Sequence, residues 1–361
     1  MTATPRLREP DAPAPAPYEN PAARDWRCPP FGAGVREFHA SLSGHTPTPL
    51  TELPTLAAEL GVGRVFVKDE SDRLGLPAFK ALGASWAVHR IVAEHADSGA
   101  PPSGLTLVTA TEGNHGRALA RMARRFGQRA HVFVPEGVHP DSVAAVAAEG
   151  ARVTEVDGSY ETAILRAAEA AREPGALLVQ DTGWPGYERI PGWIVEGYST
   201  LFAEIDDQLA AAGAEPAGLV AVPVGVGSLA QAAVTHYRGR PRDPAPALLS
   251  VEPAAAPCVL ASLRHGAPVD VPTGETAMTG LVSSAPSHLA WPFLRDGIDA
   301  AVAVTEAEAG QAGRDLAALG VPAGPCGAAS LAGARTAPSA PTTGTVVLLS
   351  TESPAANPRL P

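Results

Sequence analysis

Beyond Gly44 the chain alternates short apolar runs with stretches of helical period. Apolar runs at Leu105–Thr109, Ala130–Val134, Arg152–Val156 and Leu177–Gln180 predict strands. Between them, His115–Phe126, Asp141–Glu149 and Tyr160–Arg172 repeat their apolar positions every three to four residues and predict helices. One long helical stretch, Ile194–Ala212, follows. The alternation then resumes with strands at Gly218–Val224, Ala247–Val251, Ala300–Val304 and Thr345–Ser350, separated by helices that include Leu229–Tyr237 and Glu306–Leu319. An earlier strand, Arg64–Val67, leads toward a helix that begins near Lys80. Strand and helix in alternation predict parallel sheets covered on both faces. The pattern implies two α/β units, with a site in the crevice at the carboxyl ends of their strands.

Composition narrows the class. A chain of 361 residues that is 45% hydrophobic can bury two cores. Its net charge of −11 opposes general binding to nucleic acid or to an anionic membrane surface. No apolar run approaches the length of a membrane span. Residues Thr4–Pro30 are rich in Pro, Ala and Arg, lack the apolar centre of a signal peptide, and read as a disordered or surface-draped arm. Cys28, Cys258 and Cys326 are odd in number and far apart, which suits reduced thiols in a cytoplasmic protein rather than a disulfide framework or a metal site.

Of the 27 basic residues only Lys68 and Lys80 are lysine. A coding bias toward arginine explains the depletion, but a guanidinium stays protonated, whereas a desolvated amine can lose its proton and attack a carbonyl. Phe79, Ala81 and Leu82 surround Lys80 with apolar groups, a setting expected to lower its pKa. Lys68 stands among acids at a strand end, where a structural ion pair is expected.

Two glycine-bearing turns add polar chemistry. The run from Ala221 to Ala230 passes from strand through Gly225, Val226 and Gly227 into a helix at Ser228 and Leu229, exposing backbone N–H groups suited to phosphate. No Gly-Lys-Ser/Thr follows, which excludes a nucleoside-triphosphate P-loop. The turn is also a Gly-x-Gly-x-x-Ala match with Glu252 ending the next strand, so a nicotinamide-dependent dehydrogenase is an alternative, as is a tight turn without ligand. The second turn, Thr109–Arg117, gathers Thr111, Glu112, Gly113, Asn114 and His115 at a helix start and would receive a carboxylate; an ordinary helix cap by Thr111 or Asn114 is the competing reading.

The Phe79-Lys80 segment, the Glu112-Gly113-Asn114-His115-Gly116 loop and the Gly225–Ala230 turn together resemble the lysine, Asn-His and phosphate motifs of the fold-type II, tryptophan-synthase-like pyridoxal-phosphate enzymes. Within that group the diaminopropionate ammonia-lyases are the most similar. The matching stretches include Arg36-Glu37-Phe38-His39, Pro47-Thr48-Pro49-Leu50, Val67-Lys68-Asp69-Glu70-Ser71, Gln180-Asp181-Thr182 with Trp184 and Tyr187, Ile190–Ile194, Met278-Thr279-Gly280-Leu281 and Ser350-Thr351-Glu352.

The resemblance implies an α/β fold of two parallel-sheet, three-layer domains with the active site in the cleft between them. Residues 1–35 would form the arm, 36–80 and 185–361 the large cofactor-binding domain, and 81–184 a smaller mobile domain. It implies pyridoxal 5'-phosphate as cofactor, bound to Lys80 as a Schiff base. Phe79 would pack on the ring, Asn114 bind its hydroxyl, Ser350 or Thr351 face its nitrogen, and Gly225–Leu229 hold the phosphate. Thr111, Gly113 and His115 would receive the substrate carboxylate, with Lys80, Asp181 and Glu112 as acid–base groups. The reaction implied is α,β-elimination on a small β-substituted amino acid, foremost 2,3-diaminopropionate, by a cytoplasmic homodimer that uses no metal. Serine or threonine dehydration, β-replacement, and cofactor binding without turnover are the other readings. Two departures from the family pattern stand out. Glu112 replaces an aspartate, shifting a carboxylate by roughly an ångström, a displacement that matters to rate. The Gly324–Ser330 segment lacks the glutamate expected before its run of small residues and carries Cys326, which is expected to be a buried small residue.

Overall fold

A computed structural model describes residues 14–97, 99, 104–241, 245–337 and 344–357. Eleven strands form in these residues: β1 Tyr18–Glu19, β2 Leu50–Glu52, β3 Arg64–Asp69, β4 Thr106–Ala110, β5 Arg129–Pro135, β6 Arg152–Val156, β7 Ala176–Leu178, β8 Ala217–Pro223, β9 Ala247–Pro253, β10 Ala300–Val304 and β11 Thr345–Ser350. They divide into a seven-stranded sheet, ordered β1-β10-β9-β8-β11-β3-β2, and a four-stranded sheet, ordered β6-β5-β4-β7. The smaller sheet is parallel throughout. The larger is parallel except at its edges, where β1 and β2 pair antiparallel. Strands β8, β9 and β11 are buried along nearly their whole length, as expected of parallel strands covered on both faces. The described part of the N-terminal arm lies along the larger sheet, contributing β1 at its edge; the arm's first 13 residues fall outside the described residues.

The stretch expected as one helix over Ile194–Ala212 is two, Arg189–Gly197 and Ser199–Ala211, meeting at Tyr198. Tyr198 keeps helical angles (φ −70°, ψ −13°), so the apolar period runs through the junction unbroken. The junction lies where the chain packs closely on the helix Lys80–Asp97. A methyl group on Gly197 would sit 2.7 Å from the Leu82 carbonyl oxygen, and one on Gly83 would sit 2.6 Å from the Tyr198 ring. Two glycines thus let the lysine-bearing helix and the Arg189–Gly197 helix approach backbone to backbone, which swings Tyr198 against Phe79 at 4.8 Å between ring centroids.

Lys68 is buried in an ion-pair network. Its Nζ donates to Glu204 Oε2 (2.7 Å), Gln208 Oε1 (2.9 Å) and the Thr48 carbonyl (2.8 Å), while Arg73 bridges Glu204 and Glu70. This fixes the segment that leads from β3 to Lys80.

Candidate active site

Strands β4, β8 and β11 all point their carboxyl ends at one cavity of about 120 Å³. The loops leaving those ends, together with the start of the Lys80–Asp97 helix and the segment after β7, bring the predicted residues together from five places in the sequence. Phe79, Lys80, Thr111–His115, Asp181, Gly225–Leu229 and Thr351 all line it. Ser350 lies one step behind: it is fully buried against Gly327 and does not reach the cavity wall.

Lys80 Nζ donates to Asp181 Oδ2 at 2.6 Å. Burial works to lower the lysine's pKa, as its apolar neighbours led us to expect, but the Asp181 carboxylate outweighs it and holds the amine above its ordinary range. The expected depression is therefore corrected to an elevation. Burial likewise works to raise Asp181, and the Lys80 ammonium overrides it, keeping the carboxyl below its usual range. His115 donates from Nε2 to the Val179 carbonyl at 2.8 Å, which leaves Nδ1 unprotonated 3.9 Å from Asp181 Oδ2. Burial lowers the imidazole's pKa, so the ring stays neutral.

The Thr111 hydroxyl accepts from the Gly113 and Gly116 N–H groups at 3.0 and 3.1 Å, so it caps the helix Asn114–Arg125 as the competing reading foresaw. Asn114 Nδ2 donates to Glu352 Oε2 at 2.7 Å. Asp181 is held from behind: its carbonyl accepts from Ser228 Oγ at 2.9 Å, while Gln180 ties β4 to the Tyr160 hydroxyl. Gly227 adopts φ +100° and has no side chain to cap the helix Ser228–Arg238, so the first turn of that helix faces the cavity with N–H groups.

Tyr160, Tyr198, Thr182, Cys326 and Glu352 also line the wall. Tyr160 opens a helix in the smaller unit and Tyr198 sits at the helix junction, so neither belongs to a recognisable local motif. Cys326 is buried, and burial drives its thiol well above the ordinary value, as suits a packing residue. Glu252, the acid on which a dinucleotide site would depend, is engaged elsewhere. It accepts from the Val259 and Leu260 N–H groups at 2.8 and 2.6 Å at the start of the helix Cys258–His265, and burial pushes it up to about 8. A carboxyl buried in this way cannot also bind a ribose, and the dehydrogenase reading fails on that ground. Among the described residues no three metal-ligating side chains converge, and no helix is long and apolar enough to cross a membrane.

The donor set fits pyridoxal phosphate. A primary amine stands in the wall, a side-chain-free helix start offers N–H groups to a phosphate, and the buried hydroxyls of Thr351, Thr182 and Tyr198 lack partners among the described residues. Residues 42–352 match the family described as pyridoxal-phosphate dependent enzyme. The chain belongs to that family, and its cofactor is pyridoxal phosphate. It is similar to diaminopropionate ammonia-lyase from Salmonella typhimurium, 36% identical over 284 residues that span 73% of this chain and 70% of the relative. The crystal structure of diaminopropionate ammonia lyase from Escherichia coli in complex with D-serine superposes with a TM-score of 0.86 at 28% identity, covering 94% of each chain. The same enzyme in complex with an aminoacrylate-PLP azomethine reaction intermediate superposes at 0.84 and 29% identity, again covering 94% of each chain.

Proposed function

We propose that this ammonia-lyase takes 2,3-diaminopropionate, releasing pyruvate and two molecules of ammonia with consumption of one water. The observation that carries the choice of substrate is the charge of the cavity: among the described residues Glu112, Asp181 and Glu352 line it against a single cation, Lys80. A carboxylate-rich wall favours a β-ammonium group over the neutral hydroxyl of serine or threonine.

Gly225–Leu229 would hold the cofactor phosphate, Asn114 its ring hydroxyl and Thr351, backed by Ser350, its ring nitrogen, with Phe79 against the ring. When bound, pyridoxal phosphate supplies an electron sink for the pair left on Cα. Lys80 and Asp181 stand within hydrogen-bond reach of one another, so a proton taken from Cα can be held on either and passed to the departing nitrogen. The neutral His115 turns an unprotonated Nδ1 toward Asp181, so it offers no proton there and leaves Lys80 as the donor to that carboxylate. Glu112, exposed at the mouth, faces the β-ammonium. The Thr111–His115 turn receives the α-carboxylate on the N–H groups at the start of the Asn114–Arg125 helix, with Gly113 leaving room for close approach. The unit 81–184 closes over the unit formed by 36–80 and 185–361, and the enzyme works as a cytoplasmic homodimer.

The test is to supply the protein with pyridoxal phosphate and count pyruvate and ammonia from each enantiomer of 2,3-diaminopropionate, serine and threonine. Two ammonia per oxo acid, with the diamino acid turned over fastest, is the expected result. Turnover confined to serine or threonine, with one ammonia each, overturns the substrate. An intact near-violet cofactor band with no oxo acid from any of them overturns the lyase reading.

A further inference from the structure

We propose that Glu352 is a positioning residue that reaches across the cleft and fixes which face of the Asn114 amide is turned to the cofactor ring. The inference concerns the cofactor and holds for any β-substituted amino acid the enzyme takes.

Glu352 follows β11 in the larger sheet, whereas Asn114 opens the helix after β4 in the smaller one. Their hydrogen bond, Nδ2 to Oε2 at 2.7 Å, therefore joins the two halves. The glutamate backbone is clamped on both sides. It bridges Ala78, two residues before Lys80, its carbonyl accepts from Gly324 N at 2.8 Å, and the next N–H, that of Ser353, donates to the Pro77 carbonyl at 2.9 Å. The second carboxyl oxygen, Oε1, accepts from the Cys326 N–H at 3.4 Å. Room for this side chain depends on Gly324: a methyl group there would lie 2.9 Å from Glu352 Cγ and 3.1 Å from Oε1. The segment that lacks its expected glutamate thus receives a carboxyl group from β11 instead.

An amide has one donor end and one acceptor end, and an ionised carboxylate only accepts. Paired with Glu352, Asn114 must present Nδ2, which has a second N–H left for the ring hydroxyl. A neutral partner able to donate would permit the flipped amide, with Oδ1 toward the carboxyl site and the hydrogen-bonding sense reversed. Burial holds the Glu352 carboxyl above its ordinary range, and the bonds from Cys326 and Asn114 offset only part of that rise.

The experiment is a double-mutant cycle on purified protein with Glu352→Ala, Glu352→Gln, Asn114→Ala and the pairs, reading the affinity for pyridoxal phosphate and the position of its near-violet absorption band. Glu352→Ala is expected to weaken cofactor binding about tenfold, as loss of a charge-assisted hydrogen bond does, and to shift the band. Glu352→Gln should restore affinity in part while leaving the band shifted, because the amide is free to flip. In the Asn114→Ala background neither substitution should add anything further. Equal losses with and without Asn114, or an unchanged band in both single variants, would overturn the proposal. Should Glu352→Ala fail to fold by circular dichroism, the Glu352→Gln arm of the cycle decides by the same criteria.

Discussion

At the scale of single residues, the chemistry turns on a pair the sequence half revealed. Lys80 was legible because it is one of only two lysines and follows Phe79; its apolar neighbours suggested a depressed pKa. Asp181, distant in sequence, reverses that sign, and no local pattern could have shown the 2.6 Å contact. The consequence can be measured. A raised amine is protonated near neutral pH, and an ammonium cannot attack the cofactor aldehyde, so capture of added pyridoxal phosphate by the cofactor-free protein should accelerate as pH rises. In Asp181→Asn the largest raising influence is gone while burial remains, so the amine's pKa drops and capture should become fast at lower pH. The same substitution removes an acid–base partner and should reduce kcat by about 10²- to 10⁴-fold. Stopped-flow capture rates across pH, set beside steady-state kcat, check both effects; an unshifted capture profile in Asp181→Asn would show that the ion pair does not govern the lysine.

At the scale of elements, glycine placement decides what can approach what. Gly227 combines φ +100° with a close neighbour: a methyl group there would lie 2.6 Å from Leu294 Cδ1. Gly227→Ala should therefore cost about 1–3 kcal/mol of stability, typical of a non-glycine residue held in this region. It should also weaken cofactor affinity, since the phosphate turn must distort to admit the side chain. Thermal melts with and without pyridoxal phosphate measure the two losses; a variant that melts lower but gains as much from cofactor as the parent would confine the damage to folding. Most strands and helices were legible from period alone because each spans several residues. The exceptions have physical causes: the helices Val35–Ser41, Pro54–Leu60, Cys258–His265 and Trp291–Gly297 span seven or eight residues, about two turns, too few to establish a period. Strands β1 and β2 are two and three residues long, too short to show alternation. The junction at Tyr198 preserves helical angles. The helix Pro325–Thr336 is buried on nearly every side and built largely of small residues, so it offers no polar face to define a period.

At the scale of the whole molecule, the crevice was legible from strand-helix alternation, but its contacts were not, because they join residues brought close only when the two sheets dock. Asn114 to Glu352, Lys80 to Asp181, Asp181 to Ser228 and Gly183 to Ser287 span that junction. The two sheets are unequally supported. Around β8, β9 and β11 the apolar residues form extensive continuous clusters, and Leu107 and Ala130 tie β4 and the start of β5 into one of them; the rest of the smaller sheet relies on two small separate cores, one around Val108 and Phe133 and one of Val132, Val134 and Val146, and β6 is half exposed. Local stability follows buried apolar contact, so the smaller sheet should open more readily than the larger. Hydrogen–deuterium exchange should therefore be faster across residues 129–170 than across β8, β9 and β11 in the cofactor-free protein. On the proposed closure of the smaller unit, ligands that complete the cleft would favour the closed arrangement and shift the population toward it. Addition of pyridoxal phosphate with excess serine should slow exchange in 129–170 while leaving the larger sheet's already protected strands unchanged. Equal protection of both sheets before ligand, or slowing confined to the Gly225–Leu229 turn, would mean that the smaller unit does not move as a body over the site.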